Sequence, residues 1–188
     1  MFIDLNNSTS IAEKLQGLTY HNFINDFFND ITQSIVYTQG KIYQYVGDEV
    51  VVYWNMKTGI KNANCIYTYF YALQCLEDLS EKYLEKYRII PSFKASIHCG
   101  HIIRGEVGDI KSEIVFHGDV MNSTSRMERL CSELNEPLLI SKDLYQLLPL
   151  FVQAQLISKG NFKLRGKEQE IETHGLLDTS KNCLEPES

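Results

Sequence analysis

The stretch YVGDEVVVYW, residues 45–54, constrains the fold most, because two apolar strand segments meet there at a turn. Gly47 gives the turn its backbone freedom, and Asp48 tolerates turn geometry while its carboxylate accepts hydrogen bonds from nearby N–H groups. The sequence therefore predicts a β-hairpin over residues 41–54. Asp48 and Glu49 place two adjacent carboxylates at the turn of this hairpin. An ordinary solvated turn could carry the same two residues.

Length and composition indicate one globular domain. The chain has 188 residues, of which 44% are hydrophobic and 22% are charged, enough to build a core of its own. No apolar run approaches the roughly 18 residues of a membrane-spanning helix, and no charged-then-apolar leader opens the chain. We therefore expect a cytoplasmic domain, either free or tethered to a membrane through the full-length protein.

Cysteine and charge content narrow the class further. Five cysteines form no CxxC pair and leave one over in any pairing scheme, which is typical of reduced thiols in a cytosolic protein. The formal net charge of −6 argues against nucleic acid as a partner, since a nucleic-acid groove needs a basic stripe. An acidic chain can still bind a nucleotide where metal ions or a few placed cations neutralise the site.

Helical and strand patterns mix along the chain. Apolar residues recur at i, i+3 and i+4 from Tyr20, which predicts an amphipathic helix capped by Thr19 and ended near Gly40. A second helix is predicted over about 60–87, and a third is predicted with Asp119 as its N-cap. The absence of regular βα alternation in this order favours the α+β class.

Two aspartates stand where neighbouring strands would end. Asp4 closes the first strand pattern, MFIDL, and Asp48 lies at the hairpin tip. If the two strands are neighbours in one sheet, both carboxylates reach the same edge and form a site for a hard cation such as Mg²⁺. Two unrelated turn aspartates would give the same sequence, so the residues alone leave both interpretations open.

Polar side chains later in the chain suit a phosphate ligand. Asn122 and Arg126 stand at i and i+4 on the predicted third helix, where an amide and a guanidinium can reach one ligand. Arg165 and Lys167 flank the glycine of KLRGK and could clamp a phosphate. A solvated helix face and a basic turn are the respective alternatives.

Four ordered blocks of sequence resemble one known family. FIDLNNSTSIAEKL, GKIYQYVGDEVVVYW, FKASIHCGHIIRGEVG and HGDVMNSTSRMERL are similar, in order and spacing, to the class III adenylate/guanylate cyclase catalytic domain of the bacterial adenylate type. The last block fits the family pattern G-D-x-x-N-x-x-x-R-x-E. The resemblance implies a nucleotidyl cyclase catalytic domain over residues 1–178, followed by a polar tail over 179–188 that we expect to be disordered.

The resemblance implies a fold, a reaction and an assembly. The fold would be α+β, with a ferredoxin-like βαββαβ core and additional C-terminal strands. The domain would work as a head-to-tail homodimer that converts ATP to 3′,5′-cyclic AMP and pyrophosphate with two divalent cations, Mg²⁺ or Mn²⁺. GTP as substrate, and a catalytically silent nucleotide-binding regulatory homologue, are the alternatives. Cyclase domains usually follow other segments, so we expect an N-terminal sensor or membrane module in the full-length protein.

The resemblance also assigns roles to individual residues. Asp4 and Asp48 match the two metal aspartates, with the carbonyl of Leu5 as an expected backbone ligand. Asn122 and Arg126, supplied by the partner chain, match the pair that orients the ribose and stabilises the transition state at the α-phosphate.

Other positions depart from the family pattern. Asn7 and Ser8 stand where the phosphate-binding loop usually contains Gly-Phe. Arg165 stands where the family usually has a lysine for the terminal phosphates, with Lys167 as the near alternative.

The positions that choose the base are also unusual. Gln44 replaces the lysine of adenylate-type enzymes and the glutamate of guanylate-type ones, and Val115 replaces the usual aspartate or threonine. Because a glutamine can donate or accept a hydrogen bond, it discriminates adenine from guanine poorly. The overall resemblance to adenylate-type sequences favours ATP.

Overall fold

The described part of the structure covers most of the chain. The computed structural model describes residues 1–108, 113–163 and 170–177, without the side chain of Glu113. Arg165, Lys167 and the predicted tail over 179–188 lie outside the described residues. Within the three described ranges, no helix is long and apolar enough to cross a membrane.

Helices and strands alternate irregularly. The strands are β1 (Phe2–Leu5), β2 (Lys41–Val46), β3 (Glu49–Tyr53), β4 (Phe93–Ile97), β5 (Ile103–Val107), β6 (Glu113–His117), β7 (Leu138–Ser141), β8 (Leu156–Lys163) and β9 (Glu170–Leu176). The helices are α1 (Ser8–Leu15), α2 (Gly17–Tyr37), α3 (Met56–Ile60), α4 (Asn64–Asp78), α5 (Ser80–Tyr87), α6 (Asp119–Leu134), α7 (Lys142–Tyr145) and α8 (Leu150–Gln153), with a 3₁₀ turn at Lys61–Ala63. The predicted α+β class is confirmed.

A mixed sheet organises the domain. In the described residues it has seven strands in the order β2-β3-β1-β4-β7-β9-β8, and β5 and β6 form a separate two-stranded sheet. Neighbours among β2, β3, β1 and β4 are antiparallel, whereas β4 pairs parallel with β7. The unit β1-α2-β2-β3-α4-β4 with this strand order is the predicted ferredoxin-like core. Strands β7, β8 and β9 are the additional C-terminal strands.

Alternation along β1 separates the two faces of the sheet. Ile3 and Leu5 are almost fully buried in the main core with apolar residues of α2 and α4. Successive side chains of a strand point to opposite faces, so Phe2 and Asp4 lie on the other side, where α6 packs against β1 and β4. We call these two surfaces the core face and the site face.

Helix α2 begins earlier than predicted, at Gly17 and not at Tyr20. Gln16 is its N-cap, so the prediction of Thr19 as the cap is wrong. The reason is that α1 runs to Leu15 and joins α2 through a tight turn, with φ of 50° at Gln16 and 45° at Gly17. The apolar residues predicted to face the core are buried, as expected: Phe23, Ile24, Phe27, Phe28, Ile31 and Ile35.

The long second helix is divided into α4 and α5, which separate at Leu79. Two tyrosines of α5 donate hydrogen bonds to aspartates of α2. The Tyr83 hydroxyl donates to Asp30 at 2.6 Å, and the Tyr87 hydroxyl donates to Asp26 at 2.8 Å. These contacts place α5 against α2. The prediction of one continuous helix over about 60–87 is therefore wrong, since α5 is a separate helix.

Strands β2 and β3 form the predicted hairpin. Val46 pairs with Glu49, which leaves Gly47 and Asp48 as the two turn residues. Gly47 has φ 63° at the first turn position, in the left-handed region that glycine adopts without a steric penalty. Gly47 thereby sets the geometry of the turn in which Asp48 is the second residue.

Replacing Gly47 by alanine is expected to lower the free energy of unfolding by about 1 kcal/mol, because alanine is strained at a positive φ. Nothing lies within 4 Å of a Cβ added at Gly47, so strain and not collision is the cause. Urea denaturation measures the change. Gly105→Ala in β5 is the matched control, since an added Cβ there also meets nothing within 4 Å. Equal losses in both variants would contradict this explanation.

Candidate active site

Asp4 and Asp48 lie at one edge of the sheet. Strands β1 and β3 pair with Asp4 opposite Glu49, so Asp48, one residue earlier, is at the same edge. The Leu5 N–H donates to the Asp48 carbonyl at 3.3 Å, which ties the end of β1 to the hairpin turn. The fold thus brings together the three residues for which a metal role is predicted.

The donor set at this edge fits a cation that a substrate helps to bind. Carboxylates and a main-chain carbonyl are oxygen ligands of the kind that Mg²⁺ and Mn²⁺ prefer, and Mg²⁺ completes its shell with water and phosphate oxygens. In the part of the chain that the structure describes, no cluster of three or more His, Cys, Asp or Glu residues could hold a metal ion. An ion held by these residues would complete its shell with water or with other oxygen ligands.

Lys94, opposite Asp4 on β4, forms the central ion pair of the site. Its ammonium group donates to Asp4 Oδ2 and lies 3.1 Å from Glu128 Oε1 on α6. The exposed fractions of the Lys94, Asp4 and Glu128 side chains are 13%, 19% and 11%. Burial lowers the pKa of Lys94, but hydrogen bonds to the two carboxylates outweigh it and raise this pKa above its ordinary value. Lys94 therefore stays protonated and joins β1, β4 and α6.

Glu49 belongs to the same group of carboxylates. Burial raises the pKa of Glu49 to about 7, and the charges of Glu128, Asp4 and Asp48 add to this effect. Burial also raises the pKa of Glu128, against the opposing hydrogen bond from Lys94. Negative charge exceeds positive charge among these five residues, and that imbalance favours a bound cation.

Asn7 and Ser8 open helix α1 directly after Leu5. Asn7 is the N-cap, with φ 57° and ψ 27°, a left-handed conformation that asparagine adopts more easily than other residues with a side chain. Asparagine can therefore stand where the family usually has glycine. Its side chain makes no cap hydrogen bond. The first N–H groups of α1 point toward the region after Leu5, where an anion would find donors.

Helix α6 carries Asn122 and Arg126 away from the carboxylates. Asn122 is exposed and Arg126 is half-buried. Glu128, which contacts Lys94, lies about 200° around the helix from Arg126, since successive residues of an α-helix are about 100° apart. Asn122 and Arg126 therefore lie on a different face of α6 from Glu128, which contacts the Lys94–Asp4 pair.

The start of α6 differs from the prediction by one residue. Asp119 is the first helical residue, and Gly118 is the N-cap. A Cβ on Gly118 would lie 2.8 Å from the His101 carbonyl oxygen. The close approach of the two backbone segments explains why glycine occupies the cap position.

The candidate base-binding residues lie on two strands that touch. Gln44 is exposed on β2, and Val115 is half-buried on β6. Tyr43, next to Gln44, stacks on Phe116, next to Val115, with ring centroids 4.2 Å apart. The Phe116 N–H donates to the Tyr43 hydroxyl at 3.1 Å. The structure therefore holds the backbones of Gln44 and Val115 close to each other.

A largely apolar cavity of about 340 Å³ adjoins this contact. Its lining on the site face includes Phe2, Val51 and Phe116, and α6 contributes Val120 and Thr124. Apolar walls with a few polar groups are typical of small-molecule sites. The cavity can accept a flat, mainly apolar ring.

Three residues of this region were not found from the sequence. Glu128 closes the R-x-E part of the cyclase-like pattern, so the motif contained a signal for it. Lys94 and Tyr43 carried no local signal, because their partners are distant in the chain. Arg165 and Lys167, predicted to bind phosphate, lie outside the described residues.

Sequence comparison identifies the family. The sequence model of the Adenylate and Guanylate cyclase catalytic domain matches residues 1–178. Adenylate cyclase 2 of Rhizobium meliloti (strain 1021) is 34% identical over 173 residues, which are 91% of this chain and 48% of the relative. The adenylate cyclase of Anabaena cylindrica is 26% identical over 184 residues, with coverage of 91% and 35%. The chain thus spans about half the length, or less, of these curated relatives.

Solved structures share the fold. A bacterial light-regulated adenylyl cyclase superposes with a TM-score of 0.79 at 20% identity, covering 94% of this chain and 50% of that one. For the adenylyl cyclase CyaB from P. aeruginosa, the TM-score is 0.76 at 18% identity, with coverage of 97% and 94%. For the guanylyl cyclase Cya2, it is 0.78 at 16% identity, with coverage of 93% and 88%. Sequence and fold agree: the chain belongs to the adenylate and guanylate cyclase catalytic domain family.

Replacing Lys94 by methionine is expected to lower the free energy of unfolding by about 3 kcal/mol at pH 7, because two mostly buried carboxylates lose their cation. Chemical denaturation measures the loss. The double variant Lys94→Met/Glu128→Gln should recover part of it, since one uncompensated charge is removed.

The matched control for this prediction is Lys142→Met. Lys142 pairs with Glu172 at 2.6 Å, but its side chain is 48% exposed, so solvent replaces the lost contact. A loss at Lys142 equal to that at Lys94 would contradict the assignment of Lys94 as the buried link between strands and helix.

Proposed function

We propose that the domain is an adenylate cyclase that converts ATP to 3′,5′-cyclic AMP and pyrophosphate at sites shared by two copies of the chain. One observation carries the proposal. Asp4 and Asp48 meet at a sheet edge, whereas Asn122 and Arg126 occupy a face of α6 that lies away from them. Each set is half of a site, and a head-to-tail dimer would join the two halves.

The aspartate half would bind the triphosphate. Asp4, Asp48 and the Leu5 carbonyl would hold two divalent cations, Mg²⁺ or Mn²⁺, which would lower the pKa of the ribose 3′-hydroxyl and neutralise the phosphates. The first N–H groups of α1, from Ser8 onward, would donate to phosphate oxygens beside the Asn7 cap. We assign Arg165 and Lys167 to the terminal phosphates, where their charge would also favour the release of pyrophosphate.

The helix half would orient and stabilise the reacting atoms. Asn122 of the partner subunit would hydrogen-bond the ribose and hold its 3′-oxygen in line with the α-phosphate. The 3′-hydroxyl gives its proton to water, and its oxygen forms a bond to that phosphorus while the bond to the bridging oxygen of the β-phosphate breaks and pyrophosphate leaves. Arg126 of the partner subunit would donate to the non-bridging oxygens as negative charge develops there. Its loss should therefore reduce kcat more than it raises KM.

The base would enter the apolar cavity that Phe116 lines. Gln44 and Val115 would reach it from the contact between Tyr43 and Phe116, their neighbours in sequence. Two curated relatives named adenylate cyclase support ATP as the substrate. Gln44 can donate to N1 of adenine or accept from guanine, since its amide carries both a donor and an acceptor. GTP is therefore the second candidate substrate, and the guanylyl cyclase Cya2 has the same fold.

We also propose a cytoplasmic setting and a regulatory module elsewhere in the full-length protein. The thiols Cys65, Cys75, Cys99 and Cys131 are free in the structure, as suits a reducing compartment. Curated relatives are at least about twice as long as their matched regions, which leaves room for a sensor or membrane segment. Such a module would set the output of the catalytic domain in a signalling pathway.

The substrate assignment is tested by incubating the purified protein with ATP, GTP, CTP and UTP, each with Mg²⁺ or Mn²⁺. We expect cyclic AMP and pyrophosphate as the main products, and no product in the presence of EDTA. Mass spectrometry identifies the cyclic nucleotide. Cyclic GMP as the main product would show that the domain is a guanylate cyclase and not an adenylate cyclase. No cyclic product from any of the four would contradict an enzyme and favour a silent nucleotide-binding domain.

The shared site is tested by mixing two inactive variants. Asp48→Asn and Arg126→Ala should each lower kcat by about 100-fold or more, because one loses a metal carboxylate and the other a charge stabiliser. A 1:1 mixture should recover about a quarter of wild-type activity, since half of the dimers are mixed and each contains one intact site.

The control mixture combines Asp48→Asn with Asp4→Asn. Both residues belong to the aspartate half, so every site in the mixed dimer is damaged and no activity should return. Recovery in this control, or none in the first mixture although size-exclusion chromatography detects dimers, would contradict a site built from two chains.

A further inference from the structure

Strand β2 contains a β-bulge at Tyr43. Ile42 pairs with Val52, and the next ladder pair is Gln44 with Val51, so Tyr43 is an extra residue without a partner on β3. A bulge leaves one residue unpaired and redirects the side chains around it.

The bulge changes the face on which Gln44 lies. In a regular strand, Ile42 and Gln44 would share a face, because they are two residues apart. Ile42 packs against the main core. Gln44 instead pairs with Val51, whose partner on β1 is Phe2, and directly opposed residues of a sheet share a face. The bulge therefore transfers Gln44 from the core face to the site face.

The next residue of β2 supports this assignment. Tyr45 pairs with Val50, which belongs to the main core. Its ring centroid lies 4.6 Å from that of Phe28 on α2. Tyr45 is half-exposed but thus lies on the core face, and Gln44, which precedes it, lies on the site face.

Tyr43 also connects the main sheet to the β5–β6 hairpin. Its ring stacks on Phe116 at an interplanar angle of 9°, and Tyr53 packs edge-on against Phe116 at 4.9 Å. The Tyr43 hydroxyl accepts a hydrogen bond from the N–H of the peptide unit that joins Val115 to Phe116. Since β5 and β6 form a sheet of their own, this contact sets how far Val115 lies from the main sheet.

We propose that Tyr43 is a positioning residue for base selection. Its bulge presents Gln44 on the site face, and its ring and hydroxyl hold the Val115 strand at a fixed distance from Gln44. Tyr43 acts through these two residues and not by touching the nucleotide. The inference rests on the proposed function, because it assigns to Gln44 and Val115 the recognition of a purine base.

The test measures kcat and KM for ATP and GTP in the wild type, Tyr43→Phe and Tyr43→Ala. Tyr43→Phe keeps the stacked ring and loses one hydrogen bond, so the ratio of kcat/KM for ATP to that for GTP should change by about fivefold. Tyr43→Ala loses both contacts and should change the ratio by more than about tenfold. A residue that served folding alone would lower both activities equally and leave the ratio unchanged.

Tyr45 provides the matched controls on the same strand. Tyr45→Phe and Tyr45→Ala alter an aromatic residue on the core face, so the ratio should stay at the wild-type value even where stability falls. Combining Tyr43→Phe with Val115→Ala should leave little further change in the ratio, because the lost hydrogen bond acts by placing Val115. Full additivity of the two changes would contradict action through Val115.

Amide exchange supplies a readout that does not depend on turnover. The Phe116 N–H should exchange about fivefold faster in Tyr43→Phe than in the wild type, and at the wild-type rate in Tyr45→Phe. If the wild type makes no cyclic nucleotide, the ratio of the dissociation constants for ATP and GTP with Mg²⁺ replaces the kinetic ratio. A wild-type enzyme that is active, with an unchanged ratio in both Tyr43 variants, would overturn the inference and leave the proposed function standing.

Discussion

The ion pair between Lys94 and its two carboxylates is the interaction on which the site depends. Lys94 comes from β4, Asp4 from β1 and Glu128 from α6, so a single buried ammonium group fixes the helix to the sheet. A buried charge without a partner is strongly destabilising, so each member requires the other two. The same pairing holds the Asp4 carboxylate in place at the sheet edge. This interaction, together with the packing of Met127, Leu130 and Cys131 against Leu139, sets the position of α6 and with it that of Arg126.

Local sequence patterns are enough to predict helix α2 and the β2–β3 hairpin. The 3.6-residue periodicity of α2 and the Gly-Asp turn after Val46 are properties of short segments, and both appear in the structure. Helix boundaries were less predictable. The turn at Gln16 and the break at Leu79 depend on packing between helices, which periodicity does not record.

The site could be predicted only in part. Asp4 and Asp48 are each recognisable beside a strand end, and the fold brings them to one edge. Lys94 was missed because its partner Asp4 is 90 residues away in sequence, and only the pairing of β1 with β4 makes them neighbours. The face on which Gln44 lies could not be predicted from the sequence either. The two-residue alternation of a regular strand would place Gln44 on the core face with Ile42. Resemblance to a family supplied the candidate residues, and the bulge explains how Gln44 comes to lie on the site face.

The opposed faces of α6 have a consequence for control. Because Arg126 lies about 200° from Glu128, one side of the helix is anchored to the sheet, and the proposed dimer would use the other side. On the proposed arrangement, output then depends on how often two such surfaces meet, and tethering raises that frequency through effective concentration. An attached segment that draws two chains together by a few ångströms, or twists them apart, would govern the rate without altering any residue that touches the nucleotide.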